Sequence, residues 1–223
     1  MTEADAEVIR NESMAALAAC GLQPAPWLPK ANIRGRLVLR PAEEVARRLM
    51  GLHATVAWCC ASEELVSSPH LTQYIDNNEL FEMLTDPERD VVNTERSEAA
   101  FYRENVSRLT ESMWALAWVL GFETAPGING TPITSKVGPP LNRDFLEFFD
   151  ITVPRLVGKH GLRPASEVTA LEDQFFMAHN AFRALAIQHE DAYHPLAVVQ
   201  ERRHALTWSL SPGVLWEETD LNG

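Results

Sequence analysis

At 223 residues, 46% of them hydrophobic and 22% charged, the chain is long enough to bury a substantial core and too apolar to be disordered throughout. Its net charge of −12 repels phosphate backbones, which disfavours nucleic acid as a partner. No run reaches the roughly 18 apolar residues of a membrane span. The acidic start Met1-Thr2-Glu3-Ala4-Asp5 lacks the basic-then-apolar order of a secretory signal, so a soluble cytoplasmic protein is expected.

Helical periodicity runs from end to end and period-two alternation is nearly absent. The expected fold class is all-α or nearly so: a compact bundle of about seven helices with one long Pro/Gly-rich loop. A single domain over 1–223 is expected, with an N-terminal helix and Pro-rich connector over 1–38, a helical core over 39–121, a loop over 122–142 and C-terminal helices over 143–223.

The first helix is predicted from Ala6 to Cys20, closed by Gly21 and followed by Pro24-Ala25-Pro26-Trp27-Leu28-Pro29, where three prolines exclude helix. Arg36-Leu37-Val38-Leu39 is the one strand candidate. The second helix opens at Pro41, whose fixed φ suits a first turn, with Glu43 and Glu44 at the positive end of the dipole, and runs to about Ala61. Cys59 and Cys60 fall in this apolar run, far from Cys20, a poor framework for disulfides, and all three read as reduced core residues.

Charge is unevenly placed. Residues 31–60 carry five arginines against two glutamates, and residues 61–100 carry ten acids against two arginines. Within the acidic stretch, Thr85-Asp86-Pro87-Glu88 has capping-box spacing and predicts a short helix. A longer helix is predicted where Tyr102, Val106, Leu109, Met113, Leu116 and Leu120 step by four and three before Gly121; Trp114 and Trp118 widen its apolar face.

From Phe122 to Asn142 the glycines, prolines and Asn129-Gly130 predict a long loop, a candidate lid over a cleft. A short aromatic-rich helix over Asp144 to Phe149 and two final helices, Pro164 to about Ala186 and Pro195 to about Leu210, complete the chain. The start Leu39-Arg40-Pro41-Ala42-Glu43-Glu44-Val45 recurs as Leu162-Arg163-Pro164-Ala165-Ser166-Glu167-Val168, and the similarity then fades, which favours two helices using one start signal over a duplicated unit.

The last sixty or so residues put charged and aromatic side chains where an inward helix face expects aliphatic ones, and buried charges cost several kcal/mol unless paired. The candidate polar cluster is His179, Arg183, Glu201, Arg202, His204, Trp208, Trp216 and Asp220, structural or ligand-binding. As a structural network it would pair Glu201 with Arg183, bring Arg202 to a carboxylate such as Asp220, and lay tryptophans over guanidinium planes. As a site it would need His179, Arg183, Glu201 and Arg202 to converge under the long loop, an arginine holding an anion.

Glu201 and His204 have the spacing that di-metal bundles use twice, but it occurs once here; a mononuclear site on His179, His204 and Glu172 or Glu201 is allowed by spacing only. His189 and His194 read as a solvated turn. No serine or cysteine sits in a glycine elbow and there is no phosphate loop. No catalytic residue, metal or cofactor is therefore assigned.

These residues resemble the family known as domain of unknown function 4272, whose members are mostly bacterial. The resemblance rests on three blocks: Leu39-Arg40-Pro41-Ala42-Glu43-Glu44-Val45-Ala46-Arg47-Arg48; Leu84-Thr85-Asp86-Pro87-Glu88-Arg89 with the run Glu111 to Gly121; and Leu162-Arg163-Pro164, His179, Arg183, Val199 to Trp208, Trp216 and Asp220. It implies a fold and a set of positions, and no reaction. Met177 and Asn180 stand where the family tends to have arginine and tryptophan, and Thr207 replaces its usual asparagine. With no catalytic constellation and an acidic 61–100 region, the expected role is non-catalytic protein binding, immunity-like or accessory, towards a basic protein partner. The alternative is an enzyme or small-ligand-binding protein with a polar site between the last two helices.

Overall fold

A computed structural model describes residues 3–23, 28, 38–133 and 146–222. The protein is all-α. In chain order the helices are α1 (Glu3–Ala19), α2 (Ala42–Cys60), α3 (Ser68–Asn77), α4 (Asp86–Asn93), α5 (Arg96–Ala99), α6 (Arg103–Ser107), α7 (Leu109–Val119), α8 (Val153–His160), α9 (Ala165–Ala186) and α10 (Tyr193–Ser209). Short 3-10 turns lie at Phe81–Met83, Ala100–Tyr102, Glu147–Phe149 and Glu190–Ala192. Arg36 and Leu37 of the strand candidate lie outside the described residues, Val38 and Leu39 are irregular, and no strand occurs among the described residues. Nor is any described helix long and apolar enough to cross a membrane.

The chain forms two compact units, one from residues 1–40, 125–132 and 163–223, the other from 41–124 and 133–162. The second is built around α2, against which α3, α4, α6, α7 and α8 all pack. Every α2 residue from Leu49 to Cys59 is buried, which leaves no polar face to present to solvent. Pro41 is the N-cap residue with extended ψ of 143°, one position ahead of the first helical residue, and Pro164 repeats this at α9 with ψ of 138°.

Docking of α4 on α2 turns on one carboxylate. Thr85 and Glu88 form the expected capping box, and the same Glu88 side chain takes two hydrogen bonds from the buried Arg48 of α2 at 2.6 and 2.8 Å. Arg48 also donates to the Met83 carbonyl at 2.7 Å, so its charge is paired in a fork geometry that lysine could not supply.

The single helix expected from Tyr102 to Leu120 is instead broken. Arg108 keeps right-handed helical angles, but Ser107 Oγ donates to the Glu104 carbonyl at 2.7 Å and Thr110 Oγ1 to that of Ser107 at 2.6 Å. Hydroxyls that compete for backbone acceptors interrupt the ladder there. Beyond the break α7 is buried all round, from Glu111 to Val119. It ends at Gly121, whose φ of +87° lets the Phe122 amide reach the Ala117 carbonyl at 3.0 Å. Two of the three cysteines correct the core expectation: Cys59 is buried, but Cys20 and Cys60 are exposed.

In the first unit α9 packs against both α1 and α10. Arg10 of α1 grips Asp173 of α9 through two hydrogen bonds, at 2.7 and 3.2 Å.

Candidate functional site

The C-terminal cluster is assembled in the first unit by α9, α10 and the segment after α10. Side chains four and seven apart on α9 put Glu172, Phe176 and His179 on one face, and Arg203 of α10 meets all three. Arg203 is 3% exposed; its Nε donates to Glu172 Oε1 at 3.3 Å, and its Nη1 lies 2.8 Å from His179 Nδ1 and donates to the Leu221 carbonyl at 2.8 Å. Its guanidinium sits 4.7 Å from the Phe176 ring centroid. Thr207, one turn on, donates to the same Glu172 oxygen at 3.0 Å.

Because Arg203 always donates, His179 Nδ1 must accept and the imidazole must be neutral. Burial first, then the charges of Arg203 and Arg183, push the His179 pKa from 6.5 down to about 4. Arg203 itself is lowered by burial, against the opposing pull of Glu172.

Arg202 points another way. It is completely buried and donates to the carbonyls of Gly127 and Thr131, the latter at 2.8 Å. A clamp, not a lid, is the result for that part of the predicted loop. Gly130 explains the close fit: φ is +71°, and a Cβ there would lie 2.5 Å from Cβ of Pro195. The loop positions from 134 to 142 lie outside the described residues.

The end of α10 is capped from the far side of the sequence by Arg40. Its Nε donates to the Trp208 carbonyl at 2.8 Å and its Nη2 to those of Ser211, at 2.7 Å, and Val214. Last-turn carbonyls have no helical partners, and a cation there also opposes the dipole. The guanidinium lies 4.0 Å from the Trp208 ring centroid, so the arginine stacked on this tryptophan is Arg40, from outside the expected cluster. His204 donates from Nε2 to the Trp216 carbonyl at 3.0 Å, its ring 4.4 Å from that of Trp216, which in turn meets Trp208 at 5.3 Å.

The remaining predicted residues fall apart. Arg183 is exposed and has no ion pair among the described residues, so the expected Glu201–Arg183 bridge is absent; Glu201 is half-buried. Asp220 is exposed, accepts from the Asn222 amide at 2.8 Å, and acts electrostatically on Arg203; Arg202, expected to reach it, is turned to Gly127 and Thr131 instead. A cleft of about 380 Å³ lies beside α9 and α10, walled by Asn180, Arg183, Ile187, Tyr193 and Leu196. Of the four residues that a site there would have used, Arg183 alone lines it. No group of three or more metal-ligating side chains occurs among the described residues.

Sequence reasoning missed Arg40 and the Gly127 and Thr131 carbonyls, since a backbone acceptor has no signature in the sequence. Glu172 enters the sequence reading only as a possible metal ligand, and Arg203 only as part of the run Val199 to Trp208; the seven-residue spacing of Glu172 and His179 is the signal that places them on one face. Of the departures from the family pattern, Met177 is buried at 1% exposed and Asn180 lines the cleft while donating to the Phe176 carbonyl at 2.8 Å.

The family model for domain of unknown function 4272 matches residues 9–219. No curated protein and no solved structure matches the chain.

Proposed function

The chain belongs to the domain of unknown function 4272 family, and on that premise we propose that it is a non-catalytic cytoplasmic protein, immunity-like or accessory, that occludes a basic protein partner. The observation that carries this reading is the exposure of nearly every acid in the 61–100 stretch. Glu63, Glu64, Asp76, Glu79, Glu82, Asp86, Asp90, Glu95 and Glu98 are exposed, while Glu88 is the buried exception that Arg48 occupies. Arg47 and Arg89 neutralise Glu79 and Asp86 only in part, through surface pairs of the kind worth little in water.

Large apolar side chains stand among these acids. Leu65 is 53% exposed, Phe81 48% and Phe101 86%. Aromatic anchors within a charged rim are the usual composition of a transient interface, and the acids would steer a basic surface towards them.

An enzyme or small-ligand-binding protein with its site between α9 and α10 is the second reading. The cleft bearing Arg183 favours it, and the engagement of His179 with Arg203 and of Arg202 with backbone carbonyls weighs against it.

Capture from an extract of the source cells tests the first reading. The native protein and a Glu82→Gln, Glu95→Gln, Glu98→Gln variant are compared at low and high salt. A basic protein retained by the native chain at low salt, released at high salt and lost with the variant is the expected outcome; retention indifferent to salt and to the variant refutes it.

A further inference from the structure

In the second unit, His53, Val56, Ala57 and Cys60 of α2 follow the i, i+3, i+4, i+7 spacing of one helix face and form a wall of a cavity of about 210 Å³. Leu65, Val66 and Phe149 complete it. With Ala61 included, its lining is apolar apart from His53 and the Cys60 thiol; the nearest charges are Arg103, hydrogen-bonded to Cys60, and Arg96, bonded to the Ala61 carbonyl, and neither lines the walls. An apolar cavity of about 150 Å³ is enough to admit benzene, so this one has room for a substituted six-membered ring.

His53 is 2% exposed, and its Nδ1 lies 3.4 Å from the Tyr74 hydroxyl. The phenol has no other partner among the described residues; were it to accept from Nδ1, its own proton would be buried without an acceptor. Tyr74 therefore donates, and the imidazole proton sits on Nε2. That nitrogen has no hydrogen-bond partner among the described residues, yet it is not one of the sealed, unsatisfied atoms, which are Ser13 Oγ, Arg47 Nε, Arg48 Nε and Arg96 Nη1. His53 lines the cavity, and Nε2 is the ring nitrogen that does not face Tyr74.

Phe149 holds the arrangement at some cost. Its φ of +82° is a left-handed conformation that a phenylalanine rarely adopts, and such strain concentrates at binding sites. The ring is stacked on Tyr74 at 4.3 Å and meets His53 edge-on at 4.7 Å.

We propose that this cavity binds a small neutral molecule, an apolar ring carrying one oxygen acceptor that takes the hydrogen bond of His53 Nε2. The His53 end disfavours a charged ligand, because no charged side chain lines the walls there and burial keeps His53 itself neutral by pushing its pKa from 6.5 down to about 3. The proposal is independent of the acidic surface and of any protein partner.

The test titrates the full chain with acetophenone, toluene and benzoate, followed by NMR of the His53 imidazole and the Val56 methyls. Acetophenone should saturate with shifts at both residues and bind about tenfold tighter than toluene, the worth of one buried hydrogen bond. Benzoate should not bind. His53→Phe, which keeps a ring but removes the donor, should bring acetophenone and toluene to equal affinity. Should that variant fail to fold, the comparison on the native chain decides alone. No saturable binding of any probe, binding of benzoate as tight as that of acetophenone, or shifts confined to Arg183 and Tyr193 would overturn the proposal.

Discussion

Two buried arginines, Arg40 and Arg202, each donate to two or more main-chain oxygens, whereas Arg203 divides itself between Glu172, His179 and the Leu221 carbonyl. A guanidinium spent on two carbonyls holds two stretches of backbone together, and it has less left to offer a ligand. Replacing Arg202 by methionine keeps much of the volume but strands the Gly127 and Thr131 carbonyls. A loss of about 2–4 kcal/mol is expected, read from urea unfolding followed by circular dichroism. Arg202→Lys should recover little of it, because a single ammonium does not reproduce the fork; full recovery would contradict the clamp. The buried histidines give a second check at this scale. His179 and His53 have folded pKa values of about 4 and about 3, below the 6.5 of the unfolded chain. Above 6.5 both states are neutral and the stability is complete. As pH falls below 6.5 the unfolded chain takes up protons that the folded one refuses, so stability drops until the folded pKa values are reached. The slope approaches about 1.4 kcal/mol per pH unit for each histidine. Urea midpoints measured between pH 7 and 5, mostly above the carboxylate range, should fall, and more shallowly in His179→Gln.

Among the elements, the segment 125–132 owes its place to α10. Gly130 fits against Pro195 where no side chain could, and its backbone is left-handed as well. Gly130→Ala should therefore cost about 1–3 kcal/mol, with increased proteolytic nicking near residue 130 as a second readout. An unchanged midpoint would mean that the segment is not held against the helix. The break between α6 and α7 carries the converse lesson. Of the stripe the spacing marks, Val106 and Met113 are buried, Leu109 is half-buried and Tyr102 is exposed, and periodicity is blind to the hydroxyls of Ser107 and Thr110, which take the acceptors a continuous helix needs.

At the scale of the whole molecule, the helical class, the family and the starts of α2, α4 and α9 were legible, because proline, capping pairs and the 3.6-residue period act within a few residues of one another. The sequence does not announce helix α8, although Pro154 stands in its first turn and Gly161 follows its end; eight residues are too few to display a period. Within the cluster, the sequence marks which residues leave the aliphatic pattern but not what they touch. Arg40 and Trp208 stand 168 positions apart, and Arg202 could be placed only once the path of Gly127 to Thr131 was known. The acidic stretch was legible as charge, and its exposure, with Phe81 and Phe101 standing among the acids, is what the fold adds. Amide hydrogen exchange on the captured complex tests the proposed role most directly. New protection within Leu65 to Tyr102, with the wall of α9 and α10 around Arg183 unchanged, is the predicted result. Protection confined to Arg183, Ile187 and Tyr193, with the acidic stretch exchanging as in the free protein, would contradict it.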